Sequence, residues 1–467
     1  MKQIAIVGGG ISGLAAANAL EKRAAEQNIP IKITIIERAN RIGGNISTED
    51  YNGFKIEGGP DSFFSPKPAA IKLAIELGLT DSLLNTNSEK KGISVYHKKR
   101  LHNIPDGVIL LNRSMIKPLL FGSLMSIRGK LRMALEPFIP KKNDGEDESL
   151  ANFIRRRVGG EFLYKITEPL LAGIHAGNAE TMSIRSTFPQ FVQLEEEYGS
   201  ITRAIFSPKR SDAGGKRSSS YTPFVTLKDG MKQLPEAIVS KLKDTEINLN
   251  IEVEKISETG SGYKISAKGG KEVEADVVII TTPAYSAADM LEETDAELDA
   301  KLREINYAST ATITLAYPKE KIDQSFMKGF GIIIPRSGDN LIKAITITSN
   351  KFFHRAPDGA LLIRVFVGGG GDDKILSLSD SDIMQKVREE LKSIMGIAEE
   401  PLLNRINRWN NVWPQYEVGH KKRVDRIEEI VSKHKGLYLT GAAYRGIGIA
   451  DSVLNSDKIA EQILSLK

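Results

Sequence analysis

The chain opens on the unbroken apolar run Ile4–Val7, passes through Gly8–Gly10, and continues into LAAANALEKRAAE, where apolar positions recur at helical spacing. A short apolar run bounded by glycine predicts a strand buried on both faces, the pattern of a parallel sheet. Ile31–Ile36 (IKITII) and Val273–Ala284 (VEADVVIITTPA) each predict a further buried strand. Near the C-terminus, GLYLTGAAYRGIGIADSV reads as strand, glycine-rich turn and the start of a helix near Ala450. Between these pieces the texture changes. Residues from about 65 to 235 are mostly helical in pattern, with weak strands near 93–97 and 101–104. The alternating runs ATITLAYP, KAITITSN and LLIRVFVGG, within about 305–370, predict antiparallel strands. No internal repeat is visible.

The first strand, turn and helix carry Gly8, Gly9, Gly10, Ile11, Ser12 and Gly13 in a GxGxxG pattern. Gly8 permits the tight turn, Gly10 lets backbone approach a pyrophosphate, and Gly13 lets helix and strand pack closely. The helix N-terminus then offers N–H groups and a positive dipole end to phosphates. Glu37 ends the second strand, 24 residues beyond Gly13, where an acid accepts bonds from ribose hydroxyls. Arg38 and Arg41 follow, then the paired glycines Gly43 and Gly44 and then Asn45. The pair permits close backbone approach, and Arg41 is expected to offset diphosphate charge. One fingerprint suits NAD or FAD. A glycine-rich turn at each end of the chain, with a central returning strand, argues for FAD.

Composition narrows the chemistry. A length of 467 residues allows two or three domains. The absence of cysteine excludes disulfides, thiolate zinc sites, a cysteine nucleophile and a cysteinyl flavin link. The six histidines show no HxxxH or HExxH spacing, so no metal site is expected. The net charge of +5 is modest, and the basic run Lys209–Ser220 lacks interleaved aromatics, so it reads as a loop and not as a nucleic-acid arm. There is neither a signal-peptide pattern nor an apolar run of about 18 residues. A cytoplasmic location is therefore expected. From Lys98 to Lys142, ten Lys or Arg face two acids. Residues 111–140 mix these bases with apolar residues, which suits a weak peripheral membrane contact or a helix pair with a basic outer face.

In chain order, GGGISGLAAA, IERANRIGG, EGGPDSF, EPLLAGIHAGN, STFPQF, PQYEVGHKKR and TGAAYRGIGIADSV cover nearly the whole length. Together they resemble the oxygen-dependent protoporphyrinogen oxidase family of the FAD-dependent amine oxidase superfamily. Within that family they are similar to the soluble enzymes of Gram-positive bacteria that act chiefly on coproporphyrinogen III. The nucleotide motifs are shared with many flavoenzymes; EPLLAGIHAGN, STFPQF and PQYEVGH discriminate. The resemblance implies an α/β chain with a discontinuous Rossmann-type FAD-binding domain at 1–70, 230–295 and 410–467. It adds an α+β substrate-binding domain with an antiparallel sheet at 71–110 and 296–409, and a helical subdomain at 111–229.

The implied activity is oxidation of a porphyrinogen to a porphyrin in haem biosynthesis, on coproporphyrinogen III and also on protoporphyrinogen IX. Noncovalent FAD is the implied cofactor, dioxygen the acceptor and hydrogen peroxide the product. Other enzymes of the pathway are implied as partners. The flavin carries the chemistry, so no dedicated acid or base is implied. Cofactor contacts are implied for Gly59, Pro60, Asp61 and Ser62, for Val253 and Trp409, and for Gly441, Ile447, Gly448 and Ile449. This chain departs from the family pattern at Asn45, where relatives carry lysine, and at Ala450 and Ser452, where they carry proline and cysteine. An amine or carotenoid-precursor oxidase of the same superfamily and a noncatalytic FAD-bound scaffold are the alternatives.

A porphyrinogen is a large apolar disc edged with carboxylates, so its pocket needs apolar walls and a few rim cations. Lys67 is the expected carboxylate partner and Phe366 the expected aromatic near the flavin. Gly173 and Gly177 are expected to let backbone approach the disc, with Ile174 as an apolar wall. The resemblance implies an aromatic residue at position 175, so His175 reads as a pocket or packing residue, not a base.

Overall fold

In the computed structural model, which describes residues 1–90, 92–104, 113–207, 220–323, 325–335, 340–371 and 374–465, five strands from distant parts of the chain form one parallel sheet. Their order is Thr245–Asn248, Ile31–Ile36, Lys2–Val7, Val277–Ile280, Leu437–Leu439. Ile4 and Ile6 pack into a core shared with the helices Ile11–Gln27 and Ile449–Ser465. Ala5 and Val7 enter a second core with the helix Ala284–Leu291. Helices on both faces are the reason the central strand is apolar at every position from 4 to 7. The architecture is the mixed α/β, Rossmann-type arrangement expected.

One expected strand is two. Glu272–Ala275 belongs to a small antiparallel sheet with Val253–Glu258 and Tyr263–Ala267, and only Val277–Ile280 enters the parallel sheet. The Asp276 carboxylate marks the switch by accepting the Gln3 N–H at 2.7 Å.

Seven strands form the second large sheet, in the order Leu403–Pro414, Tyr307–Pro318, Ala360–Gly368, Ile342–Ile347, Gly331–Ile333, Ile93–His97, Arg100–Ile104. Every pairing is antiparallel except that of Gly331–Ile333 with Ile93–His97. Both faces of the strand Tyr307–Pro318 are covered. Ala311, Ile313, Leu315 and Tyr317 pack in a core with the helix Asp380–Met395. Thr310, Thr312 and Thr314 are also buried, on the opposite face.

Short helices fill the region between. Among them Leu150–Arg157, Glu168–His175 and Pro189–Tyr198 surround a core holding Phe153, Leu163 and Leu171. Arg157 and Glu136 are fully buried and paired, with Glu136 also accepting from Ser200 Oγ at 2.5 Å and the Ile201 N–H at 3.0 Å. On the outside, Ile127, Leu131 and Leu135 form an exposed stripe at helical spacing, flanked by exposed Phe121 and Phe138. Among the described residues, no helix is long and apolar enough to cross a membrane. The basic run after Ser207, apart from Ser220, and positions 111–112 lie outside the described residues.

Candidate functional site

A cavity of about 1810 Å³ lies between the parallel sheet, the seven-stranded sheet and the helical region. Pockets for one small ligand span roughly 300–1,000 Å³, so this one has room for two.

One end is built from turns. Gly8, Gly10, Ile11 and Ser12 line it, beside Glu37, Arg38, Gly43, Gly44 and Asn45. The two glycine turns touch backbone to backbone: Gly43 N donates to Gly9 O at 2.8 Å, and a Cβ on Gly44 would stand 3.1 Å from Gly10 Cα. The Glu37 carboxylate accepts the Gly9 and Ala39 N–H groups, each at 2.7 Å, so its orientation is fixed by the backbone. The 17-residue helix beginning at Ile11 has no side-chain cap and no acid in its first turn. Its N-terminal N–H groups are thus left for an anion. Gly59, Pro60, Asp61, Ser62, Val253, Ile447, Gly448 and Ile449 complete this end, and Trp409 lines the cavity from the second sheet.

Three predicted cofactor glycines stand behind the wall. Gly9, Gly13 and Gly441 do not line the cavity. Gly13 serves packing: a Cβ there would lie 2.0 Å from Gly8 O. Arg41 does not face the cavity either. Its guanidinium donates to Gly44 O at 2.7 Å, Ile46 O at 3.1 Å and Ile42 O at 3.2 Å, holding the second glycine turn in shape.

Gly173, Ile174 and His175 line another part of the cavity, which Phe366 also lines. Among the described residues, nothing outside its own helix and chain neighbours lies within 4 Å of a Cβ built on Gly173, so the space there is open. Ile174 is half exposed into it. Gly177 corrects an expectation: it packs on Met182 and Gln415, behind the wall, because left-handed Ala176 turns the chain away after His175. His175 is buried with its ring edge-to-face on Phe188, centroids 5.6 Å apart, and Nδ1 has no hydrogen-bond partner among the described residues. Burial, with the nearby Lys67 charge, pulls its pKa down to about 4, so the ring is neutral. Lys67 lines the cavity but is not a free cation: Nζ lies 2.7 Å from Asp451 Oδ2 and 2.8 Å from Oδ1.

Sequence reasoning missed the charges beneath the loop Gly58–Ser62. Arg364, in the middle of an apolar strand, donates to Gly59 O at 2.6 Å and Gly58 O at 2.9 Å, and lies over the Phe366 ring. Lys351 donates to both Asp61 oxygens and to Ser62 Oγ. Burial favours the neutral acid at Asp61, but Lys351, with Ser62 and Arg364, outweighs it and holds the carboxyl at about 2. The signal available was the basic residue interrupting LLIRVFV. Orphaned polar atoms at Arg364 Nε and at Thr312 and Thr314 Oγ1 lie on the same strand face.

An uncapped helix N-terminus beside paired glycine turns can hold an extended anionic group, and apolar side chains line another part of the same cavity. Comparison with known proteins agrees. The family described as flavin containing amine oxidoreductase matches residues 11–464. The coproporphyrinogen III oxidase of Bacillus subtilis is 38% identical over 97% of this chain and 96% of its own. Protoporphyrinogen oxidase 1 of Arabidopsis thaliana chloroplasts is 28% identical over 98% of this chain and 87% of its own. The crystal structure of an Exiguobacterium sp. 255-15 protein assigned as a protoporphyrinogen oxidase superposes with a TM-score of 0.86 at 30% identity, covering 100% of this chain and 99% of that one.

Proposed function

The chain belongs to the flavin-containing amine oxidoreductase family, and on that premise we propose that it oxidises a porphyrinogen to a porphyrin with noncovalent FAD, passing electrons to dioxygen and releasing hydrogen peroxide. Membership makes it a flavin-dependent oxidoreductase. The observation that carries the finer reading is one cavity with two unlike ends, sized for a dinucleotide and a second large, flat ligand. The printed names of its relatives support coproporphyrinogen III and protoporphyrinogen IX as the substrates to try.

The bound cofactor supplies two-electron redox chemistry. The chain's part is placement and exclusion of water. The uncapped helix at Ile11 and the paired glycine turns hold the diphosphate, and Glu37 takes the ribose. Arg364 and Lys351 hold the loop Gly58–Ser62, which would support the cofactor when it is bound. Gly173 leaves room for the disc edge and Ile174 covers it. A propionate reaching Lys67 would have to compete with Asp451 for its ammonium.

The exposed stripe Ile127, Leu131, Leu135, with basic Arg128 and Lys130 beside it, supports a reversible contact with an anionic membrane surface in the cytoplasm. Salt-sensitive co-sedimentation with phosphatidylglycerol vesicles, lost on Leu131→Glu, is the expected result.

Anaerobic titration of the purified holoenzyme with coproporphyrinogen III, protoporphyrinogen IX and a panel of amines tests the central reading. Bleaching of the flavin by a porphyrinogen, with peroxide formed on admitting air, is expected. Bleaching by amines alone would overturn it.

A further inference from the structure

Two adjacent residues grip opposite ends of the cavity. The Gln415 side chain donates from Nε2 to the backbone carbonyl of His175 at 3.3 Å, on the wall that includes Gly173 and Ile174. The Tyr416 hydroxyl donates to Ala442 O at 2.6 Å and accepts the Gly446 N–H at 2.7 Å, closing the two ends of the C-terminal glycine-rich turn. Both residues are buried. Their backbone is anchored as well: Ser183 N donates to Tyr416 O at 2.8 Å, and Gln415 N to Asn306 O at 2.8 Å.

The ring of Tyr416 cannot swing. It stacks on His420 with centroids 3.9 Å apart and planes 14° apart. His420 is itself held, its Nε2 lying 2.9 Å from Tyr444 O. A carbonyl only accepts, so Nε2 carries the proton; burial keeps this ring neutral, with a pKa pulled down to about 4. Gly419 N donates to Asp147 at 3.0 Å, and Asp147 accepts Ser183 Oγ at 2.9 Å, which ties the helical region into the same knot. The turn being held leads into the helix Ile449–Ser465 and has little slack. A Cβ at Gly446, whose φ is +118°, would stand 2.5 Å from the Asp451 carboxylate.

We propose that Gln415–Tyr416 is the positioning element of the site: it sets the cofactor turn Gly441–Gly448 in register with the substrate wall Gly173–His175. Tyr416 is a positioning residue and takes no proton in the reaction. The inference rests on the reading that the cofactor lies along that turn and the substrate against that wall.

Tyr416→Phe keeps the stack on His420 and removes both hydroxyl bonds. In the holoenzyme, the rate of flavin reduction by porphyrinogen should fall about tenfold to a hundredfold, the cost of an ångström-scale misplacement, with substrate affinity within about twofold. Without substrate, hydrogen exchange at the Gly446 amide should quicken about tenfold, and cofactor binding should no longer slow exchange at Ser183. Gln415→Leu should slow reduction in the same way without loosening Gly446, and it carries the test if the tyrosine variant does not fold. An unchanged reduction rate per bound flavin in both variants would overturn the proposal, even with faster exchange, because that is a merely structural bond. If no porphyrinogen reduces the wild-type flavin, the substrate reading fails. The coupling then stands or falls on whether cofactor binding protects Ser183 in the wild type and not in Tyr416→Phe.

Discussion

Lys351 and Asp61 lie 290 residues apart in the chain and meet with Nζ 2.8 Å from one carboxylate oxygen and 2.9 Å from the other. Both are largely shielded from solvent, and the pair pins the loop Gly58–Ser62 to the short helix Thr348–Lys351 that follows the strand Ile342–Ile347. Lys351→Met leaves a buried carboxylate unpaired, which costs about 3–5 kcal/mol, while Lys351→Met with Asp61→Asn should recover most of that loss. Urea denaturation measures both. The sign with pH follows from a depressed carboxyl: its stabilisation is complete above the unfolded value near ~3.9 and is lost as pH falls toward about 2. The gap between wild type and Lys351→Met should therefore narrow as pH falls through that range.

Gly59 has no room for a side chain, because a Cβ would sit 1.7 Å from the Asn45 carbonyl. Gly59→Ala should separate the two loops of the cofactor end and purify with little flavin. Gly260→Ala, at a site with nothing within 4 Å, is the control and should keep full visible flavin absorbance per chain.

The substrate wall separates size from chemistry. Gly173→Leu fills open cavity space and should abolish turnover at unchanged flavin content. His175→Phe replaces one neutral ring on Phe188 by another and should keep most activity. Complete loss of turnover in the phenylalanine variant, with flavin and fold intact, would give the imidazole a chemical role.

Two histidines give pH dependences of opposite sign. His175 has a folded pKa of about 4 against an unfolded ~6.5, so the unfolded chain binds more protons between these values and stability rises with pH there. His175→Phe should flatten that rise in thermal melts.

His434 is the reverse case. Its two nitrogens face Asp295 at 3.0 Å and Glu258 at 3.1 Å, and these carboxylates outweigh burial to raise its pKa. Its stabilisation is full below the unfolded value and is lost as pH rises through the raised one. His434→Gln should cost on the order of 1 kcal/mol at pH 6 and less at pH 9.

Much of the frame was legible from local pattern. IAIV followed by GGGISG, and IKITII ending at Glu37, are recognised by period and turn chemistry alone, and they stand where expected. The alternating runs of the second sheet and the weak strands near 93–97 and 101–104 are likewise present. Less legible were features that depend on a neighbour. Arg41 and Gly177 were expected at the ligand, yet neither lines the cavity, because a sequence pattern does not say what lies across from it.

The sequence by itself determined the class of fold and of cofactor, since a strand, a tight glycine turn and an uncapped helix are local objects whose chemistry travels with them. Only the tertiary structure decided which charges serve the site. Lys67 meets Asp451, Asp61 meets Lys351, and Gln415 reaches His175 across separations of 240 residues or more. Such pairs exist because burial removes water and leaves each charge or polar group needing a partner, and folding, not sequence proximity, supplies it.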